Sequence, residues 1–246
     1  MTNEATLTKM NDMKLFGMLH AFQTTLDTRF DQQFTNDEFI AYLIDSEWED
    51  RYNRKLTRLL KAAHFRYQAT MERINFTQPR GLDKQLLLRL SNREWIQKHQ
   101  NVFITGPTGV GKSFLACAIG HQACHNQYKV QYFNIRKLFA TLKFAKANGT
   151  YTKELTKIQR KNLIILDDFG LHPIDEMSKL ILLELLEDRY DVHSTILTSQ
   201  FPIPKWYKII ANPTIADAIL DRLIHNSYKI ELKGESMRKI LKTNSG

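Results

Sequence analysis

Thiols are scarce in this chain: Cys117 and Cys124 are the only two cysteines among 246 residues. They sit seven positions apart in a predicted helix, on one face, which favours packing in the core over metal binding. No apolar run has the length of a membrane span and no lipidation signal is present, so a membrane partner is not expected. The opening stretch, MTNEATLTKMNDMK, lacks the apolar core of a signal peptide. A reduced, cytoplasmic protein is the expectation. Internal repeats and low-complexity tracts are also lacking, and the length suits one large domain or a medium one with a smaller companion.

What is plentiful is positive charge. Thirty-five Lys and Arg stand against 26 Asp and Glu, a formal net charge of +9. That excess predicts a polyanionic partner, nucleic acid before membrane. The 43% hydrophobic content is ordinary and allows a sizeable core.

The most specific local signal is GPTGVGKS at 106–113, a complete G-x-x-x-x-G-K-[ST] phosphate loop. A short apolar run at 101–105 precedes it, and an alanine-rich helical stretch at 114–123 follows. Strand, loop and helix are the context in which the pattern has a mechanism. Gly106, Gly109 and Gly111 permit a tight turn, and Pro107, Thr108 and Val110 complete it. Its backbone N–H groups, with the dipole of the following helix, face phosphate oxygens. Lys112 is expected to reach the β- and γ-phosphates and Ser113 to ligate Mg²⁺. The ligand expected is a nucleoside triphosphate.

The first part of the chain reads as wholly helical. Leu15, Leu19, Phe22 and Leu26 form one apolar stripe. A second helix begins at Thr35, with Glu38 completing a capping box, and carries an apolar face through Phe39, Leu43, Trp48, Tyr52, Leu56, Leu59 and Ala63. Phe39, Leu43, Trp48 and Tyr52 are expected in the core, because a small helical domain needs its large apolar groups. Charge is segregated along this helix: six acids at 37–50, then six bases and no acid at 51–66. Arg51, Arg54, Lys55, Arg58 and Lys61 share a face. The pattern breaks near 75–81, where we place a boundary between a helical domain, 1–74, and a second domain, 75–246. In the second domain a helix is expected over 82–100. Strand candidates at 129–134, 163–167 and 195–199 then alternate with helices, the pattern of a parallel sheet covered by helices.

LIILDD, at 163–168, is an apolar run ending in paired acids, as a buried strand delivering carboxylates to the sheet's C-terminal edge reads. Asp167 is expected to hold Mg²⁺, directly or through water, and Asp168 to polarise the attacking water. The strand ending in Thr198-Ser199-Gln200 places polar groups near the γ-phosphate.

Together the phosphate loop, LIILDDFG, STILTSQFP, PRGLDK at 79–84 and PTIADAILDRLIHNSYKIELKGESMRK resemble AAA+ ATPases of the DnaA/DnaC initiator and loader branch. More closely, they resemble IstB-type helper ATPases of insertion sequences. The resemblance spans nearly the whole chain. It implies an α/β AAA+ P-loop NTPase with a parallel five-stranded sheet, nearly lacking the C-terminal helical lid and preceded by a small helical domain. It implies that Gln200, with Thr198, is a polar sensor, and that Arg222 enters a neighbouring subunit's site as an arginine finger. Arg238 matches a second sensor arginine contacting phosphate in cis; the shortness of the chain beyond it works against that role. For Arg222 the alternative is a solvated or ion-paired helix arginine. Asp168 stands where many AAA+ proteins have Glu, which suits slow turnover.

Two basic surfaces compete for DNA: the stripe of Arg51, Arg54, Lys55, Arg58 and Lys61 on the long helix, with Arg66 following, and Lys143, Lys146, Lys153, Lys157, Arg160 and Lys161 flanking the break at 147–150. The resemblance favours the second, since initiators line their channel with helices inserted there. Few aromatics accompany it, which suits duplex phosphates and contact largely independent of sequence. By resemblance, the partners are the cognate transposase and further copies of this chain in a ring or helical assembly. The expected activity is ATP hydrolysis that regulates transposition. A DnaC-like helicase loader, a small-molecule kinase and a non-hydrolysing scaffold are the competing readings.

Overall fold

A computed structural model describes residues 2–28 and 34–237. The chain forms two compact units, Met1–Arg58 and Leu59–Gly246.

Among its described residues the first unit is helical: α1 (Asn3–Asp12), α2 (Phe16–Thr28) and the start of α3 (Asn36–Ala63). The capping box at the head of α3 is made. The Thr35 N–H donates to Glu38 Oε2 at 2.8 Å and the Glu38 N–H to Thr35 Oγ1 at 3.3 Å. Helix α2 crosses α3 at Gly17, where an added Cβ would lie 2.3 Å from the Ser46 carbonyl. The buried Glu47 carboxylate accepts from the Gly17 and Met18 N–H groups, satisfying donors that a helix start leaves open. Burial alone would raise its pKa. Arg51 and those two N–H groups outweigh burial and hold it below the ordinary glutamate value. Phe39, Leu43 and Tyr52 are half-buried, but Trp48 is 66% exposed, contrary to expectation, and stacks on Tyr52 with ring centroids 5.7 Å apart. It lies on the outward side of α3 with Ile44 and Ile40, one and two turns away, which are also exposed.

The second unit is built on five parallel strands: β1 (Asn101–Thr105), β2 (Val130–Asn134), β3 (Leu163–Phe169), β4 (Ser194–Ser199) and β5 (Ser227–Glu231), in the order β2-β3-β4-β1-β5. Strands β1 and β4 are buried along their whole length, and β3 at every position but Asp168. Helices on both faces are why their sequences run apolar rather than alternating. Strand β5 has no counterpart in the apolar runs, because only Ile230 is buried in it. The helix expected over 82–100 is two helices, α4 (Lys84–Ser91) and α5 (Glu94–Gln97), broken where Asn92 turns to extended backbone. The Trp95 indole bridges the break by donating to the Leu90 carbonyl at 2.9 Å.

Helix α6 (Lys112–His125) follows the phosphate loop and packs Cys117 and Cys124 in the core, both free. Helices α7 (Ile135–Ala147) and α8 (Tyr151–Gln159) connect β2 to β3, and α9 (Glu176–Glu187) connects β3 to β4. The short α10 (Trp206–Ile210) and α11 (Pro213–Ile224) lead to β5. Trp206, fully buried, sets its ring edge-on to Phe103 and Phe169 at 5.2 and 5.1 Å. Arg189 is 1% exposed with no carboxylate partner among the described residues. Its guanidinium donates to the carbonyls of Ile158, Gln159, Lys161 and Ser194, tying the end of α8 to the starts of β3 and β4. Burial pushes its pKa down to about 9.

Candidate functional site

The parallel sheet delivers the ends of β1, β2, β3 and β4 to one edge, where ligands of such sheets bind. A cleft of about 720 Å³ opens there, lined by Thr108, Gly109, Gly111, Lys112, Ser113, Asp168 and Gln200. Its far wall comes from 66–82, including Tyr67, Ile74, Asn75 and Arg80. Phe76, in the same segment, is not in the lining and is 43% exposed.

The loop is held in shape by its own lysine. Lys112 is 7% exposed, and its Nζ donates to the carbonyls of Gly106 at 2.8 Å and Pro107 at 2.7 Å. Burial lowers its pKa, while Asp168 and Asp167 pull it back up. Gly106 has φ +144°, and a Cβ there would lie 2.2 Å from the Leu232 carbonyl, so only glycine fits. Behind the loop, Arg80 donates to the Val110 carbonyl at 3.0 Å and also to the Asn75 carbonyl. It thereby fastens the 75–80 segment to the phosphate loop. The Met237 N–H donates to the Gly109 carbonyl at 2.9 Å, so the segment after β5 lies across the loop.

Asp167 is fully buried and accepts from Ser113 Oγ at 2.8 Å, Tyr132 OH and Thr198 Oγ1. Burial and donation to Asp167 raise the pKa of the Tyr132 phenol. Asp168 has φ +67°, an uncommon state for a residue with a Cβ, which costs about 1–3 kcal/mol. The twist turns its carboxylate out of the strand into the cleft. Its N–H donates to Thr198 Oγ1 at 3.1 Å, and its carboxylate accepts from Asn134 Nδ2 at 3.0 Å. Burial raises the Asp168 pKa, the adjacent Asp167 raises it further, and Arg66 and Lys112 oppose them. Arg66 Nη1 stands 3.4 Å from Oδ2 of both acids.

Lys112, Ser113, Asp167, Asp168 and Gln200, expected to work together, therefore meet at one edge. Gln200 Oε1 accepts from Thr108 Oγ1 at 2.9 Å. Arg222 is elsewhere on the unit: it donates to the Ala218 carbonyl at 2.8 Å and to Glu187 at 2.7 Å, and it does not line its own cleft. Arg238 lies outside the described residues. Tyr132 and Asn134 were not singled out from the sequence, and Arg66 was read there only as a base following the stripe on the long helix, not as a partner of the acid pair. Asn134 left a trace there as a polar residue ending a strand candidate. The basic candidates divide. Arg51 and Arg54 pair with Glu47 and Asp50, Lys143 pairs with Asp175, and Lys146 sits 4.4 Å over the Tyr151 ring. Lys157 pairs with Glu154, whereas Lys55, Arg58, Lys153 and Arg160 are exposed and Lys161 is half-buried.

This sheet order, with a phosphate loop after β1 and paired acids on β3, defines an AAA+ P-loop fold. Among solved structures that share that fold, two serve for comparison. DnaI aligns with a TM-score of 0.57 at 20% identity, over 72% of this chain and 93% of that one. AMPPCP-bound DnaA from Aquifex aeolicus aligns with a TM-score of 0.57 at 18% identity, over 74% and 56%. The model of the IstB-like ATP binding protein family matches residues 8–245, and the chain belongs to that family. Relatives include an insertion sequence ATP-binding protein of Sinorhizobium fredii, 46% identical over 234 residues, 95% of this chain and 96% of that one. The insertion sequence IS21 ATP-binding protein of Pseudomonas aeruginosa is 30% identical over 237 residues, 96% and 89% of the two chains. No helix among the described residues is long and apolar enough to cross a membrane.

Proposed function

We propose that this chain is an Mg²⁺-dependent ATPase of an insertion sequence that assembles on duplex DNA and assists the cognate transposase. One observation carries the reading: loop, lysine, hydroxyl and acid pair converge on one cleft, while Arg222 sits on a surface outside it. In this reading the ATP phosphates rest on the loop N–H groups and Lys112, and the base occupies the wall formed by 66–82. Asp168, oriented by Asn134, takes the proton of the attacking water, and Gln200 with Thr108 holds that water's surroundings polar. The Ser113 hydroxyl and Asp167 carboxylate, 2.8 Å apart, are hard oxygen donors that fit Mg²⁺. Bound there, the ion neutralises phosphate charge. Arg222 exchanges Glu187 for the γ-phosphate in a neighbouring copy's cleft, so hydrolysis requires assembly. A helical domain for partner contacts and a second domain for ATP chemistry belong to the same proposal, with the boundary moved from 74/75 to a point before Arg66, because Arg66, Tyr67, Arg73 and Ile74 line the cleft; reduced, cytoplasmic surroundings belong to it too.

Mixing tests it. Lys112→Ala and Arg222→Ala proteins, each inactive alone, should regain part of the ATPase rate when combined, through hybrid interfaces carrying an intact loop and an intact finger. Two folded, associating variants that recover nothing would remove the shared site.

A further inference from the structure

A second concavity, about 1020 Å³ and larger than the nucleotide cleft, opens beside the edge strand β2, between α7 and α8. Six cations line it: Arg66, Lys129, Lys137, Lys157, Arg160 and Lys161. Only two carboxylates do, and both are taken, Glu154 by Lys157 and Asp168 by Arg66. Lys129, Lys137, Arg160 and Lys161 form no ion pair among the described residues. Burial and the nearby Lys129 ammonium lower the pKa of Lys161. Like charges gathered without a counter-ion cost free energy that an anion would recover. Lysine often guards an exposed sheet edge. Guarding does not require a concave set of cations reaching the paired acids of the nucleotide site.

The rings in this groove do not form a stacking platform. Tyr132 spends its hydroxyl on Asp167, and Phe133 packs against the core. Cations without exposed rings suit a phosphodiester backbone rather than splayed bases. Arg66 and Asp168 are the two residues that line both this groove and the nucleotide cleft, so their ion pair is the partition between them.

We propose that this groove holds a phosphodiester strand of duplex DNA, and that Arg66 is a cation shared between that strand and the Asp167–Asp168 pair. The proposal rests on the DNA-binding reading above and names its site and its link to ATP. A phosphate entering the groove draws the guanidinium away from the two carboxylates. The acid pair is then left more anionic, which favours a divalent cation and frees Asp168 for its water.

The test uses the full chain, a labelled random-sequence duplex and a fluorescent ATP analogue. Doubly substituted Lys129→Gln/Lys161→Gln protein should lose about 2 from the slope of log affinity against log salt, close to 0.9 per phosphate contact. Lys98→Gln/Lys229→Gln protein, changed outside both basic surfaces and with Lys229 on β5 at the opposite sheet edge, should keep the wild-type slope. DNA should also lower the Mg²⁺ concentration needed for half-maximal nucleotide binding by about fivefold in wild type. In Arg66→Gln protein that concentration should already be low and should not respond to DNA. An unchanged slope in the groove variant, or a full DNA response in Arg66→Gln, overturns this inference while leaving the function reading standing. Wild-type protein that ignores duplex DNA in every nucleotide state overturns both.

Discussion

Asp168 carries strain, a raised pKa and two side-chain hydrogen-bond partners, the profile of a group held for chemistry rather than stability. Asp168→Asn should keep nucleotide affinity, measured by fluorescence titration, and lower turnover by about 10²–10⁴-fold. Turnover within a factor of a few of wild type would end its assignment as the base. The thiols titrate in the opposite sense to an activated nucleophile. Burial pushes Cys117 up to about 11 and Cys124 up to about 12, against roughly 8.5 in the unfolded chain. The folded state then binds more protons than the unfolded one above pH ~8.5, so stability is full below that pH and falls as pH rises through it. Urea midpoints should decline from pH 8.5 to 10, and Cys117→Ala should flatten the decline. At pH 8 a thiol reagent should label the native chain at least ~100-fold more slowly than the denatured one.

At the scale of elements, the ATP site and the basic groove share one support. Arg189 caps the end of α8 and holds the starts of β3 and β4, strands whose far ends carry Asp167, Asp168 and Gln200. Arg189→Ala should cost about 3 kcal/mol or more, because four buried carbonyls lose their donor at once. Calorimetry should show a melting temperature lower by roughly 6–12 °C; a shift below 2 °C would mean that water replaces the guanidinium at little cost. Elements also show where sequence periodicity succeeds and where it stops. Strands β1, β3 and β4 were legible because covered strands must be apolar throughout. Strand β5 was not, since Lys229 and Glu231 at the sheet's edge remain exposed. The single helix read over 82–100 failed because apolar spacing continues across Asn92 although the backbone does not. Trp48 was misplaced because periodicity identifies a face without identifying what covers it.

At the scale of the molecule, the net charge of +9 and the unpaired cations beside β2 predict that the proposed DNA binding responds chiefly to ionic strength. ATP with Mg²⁺ should shift the mass distribution of wild-type protein toward oligomers, and Arg222→Ala should reduce ATP turnover by about 10³-fold without changing nucleotide affinity. Mass photometry and ATPase assays read the two effects separately. If Arg222→Ala hydrolyses ATP at the wild-type rate while assembled, the neighbouring finger is not Arg222.

What the amino-acid order determined alone is local: the eight-residue phosphate loop, the apolar strands and the capped helix at Thr35, each set by neighbours within a few positions. What needed the tertiary structure is the company these pieces keep. Arg66 reaches Asp167 across 101 positions, and Tyr132 and Asn134 reach the acid pair from 35 and 34 positions away. The physical reason is the parallel sheet itself. Crossover helices of differing length return every strand in the same direction, so groups unrelated in the sequence arrive at one edge, and a spacing pattern carries no record of that meeting.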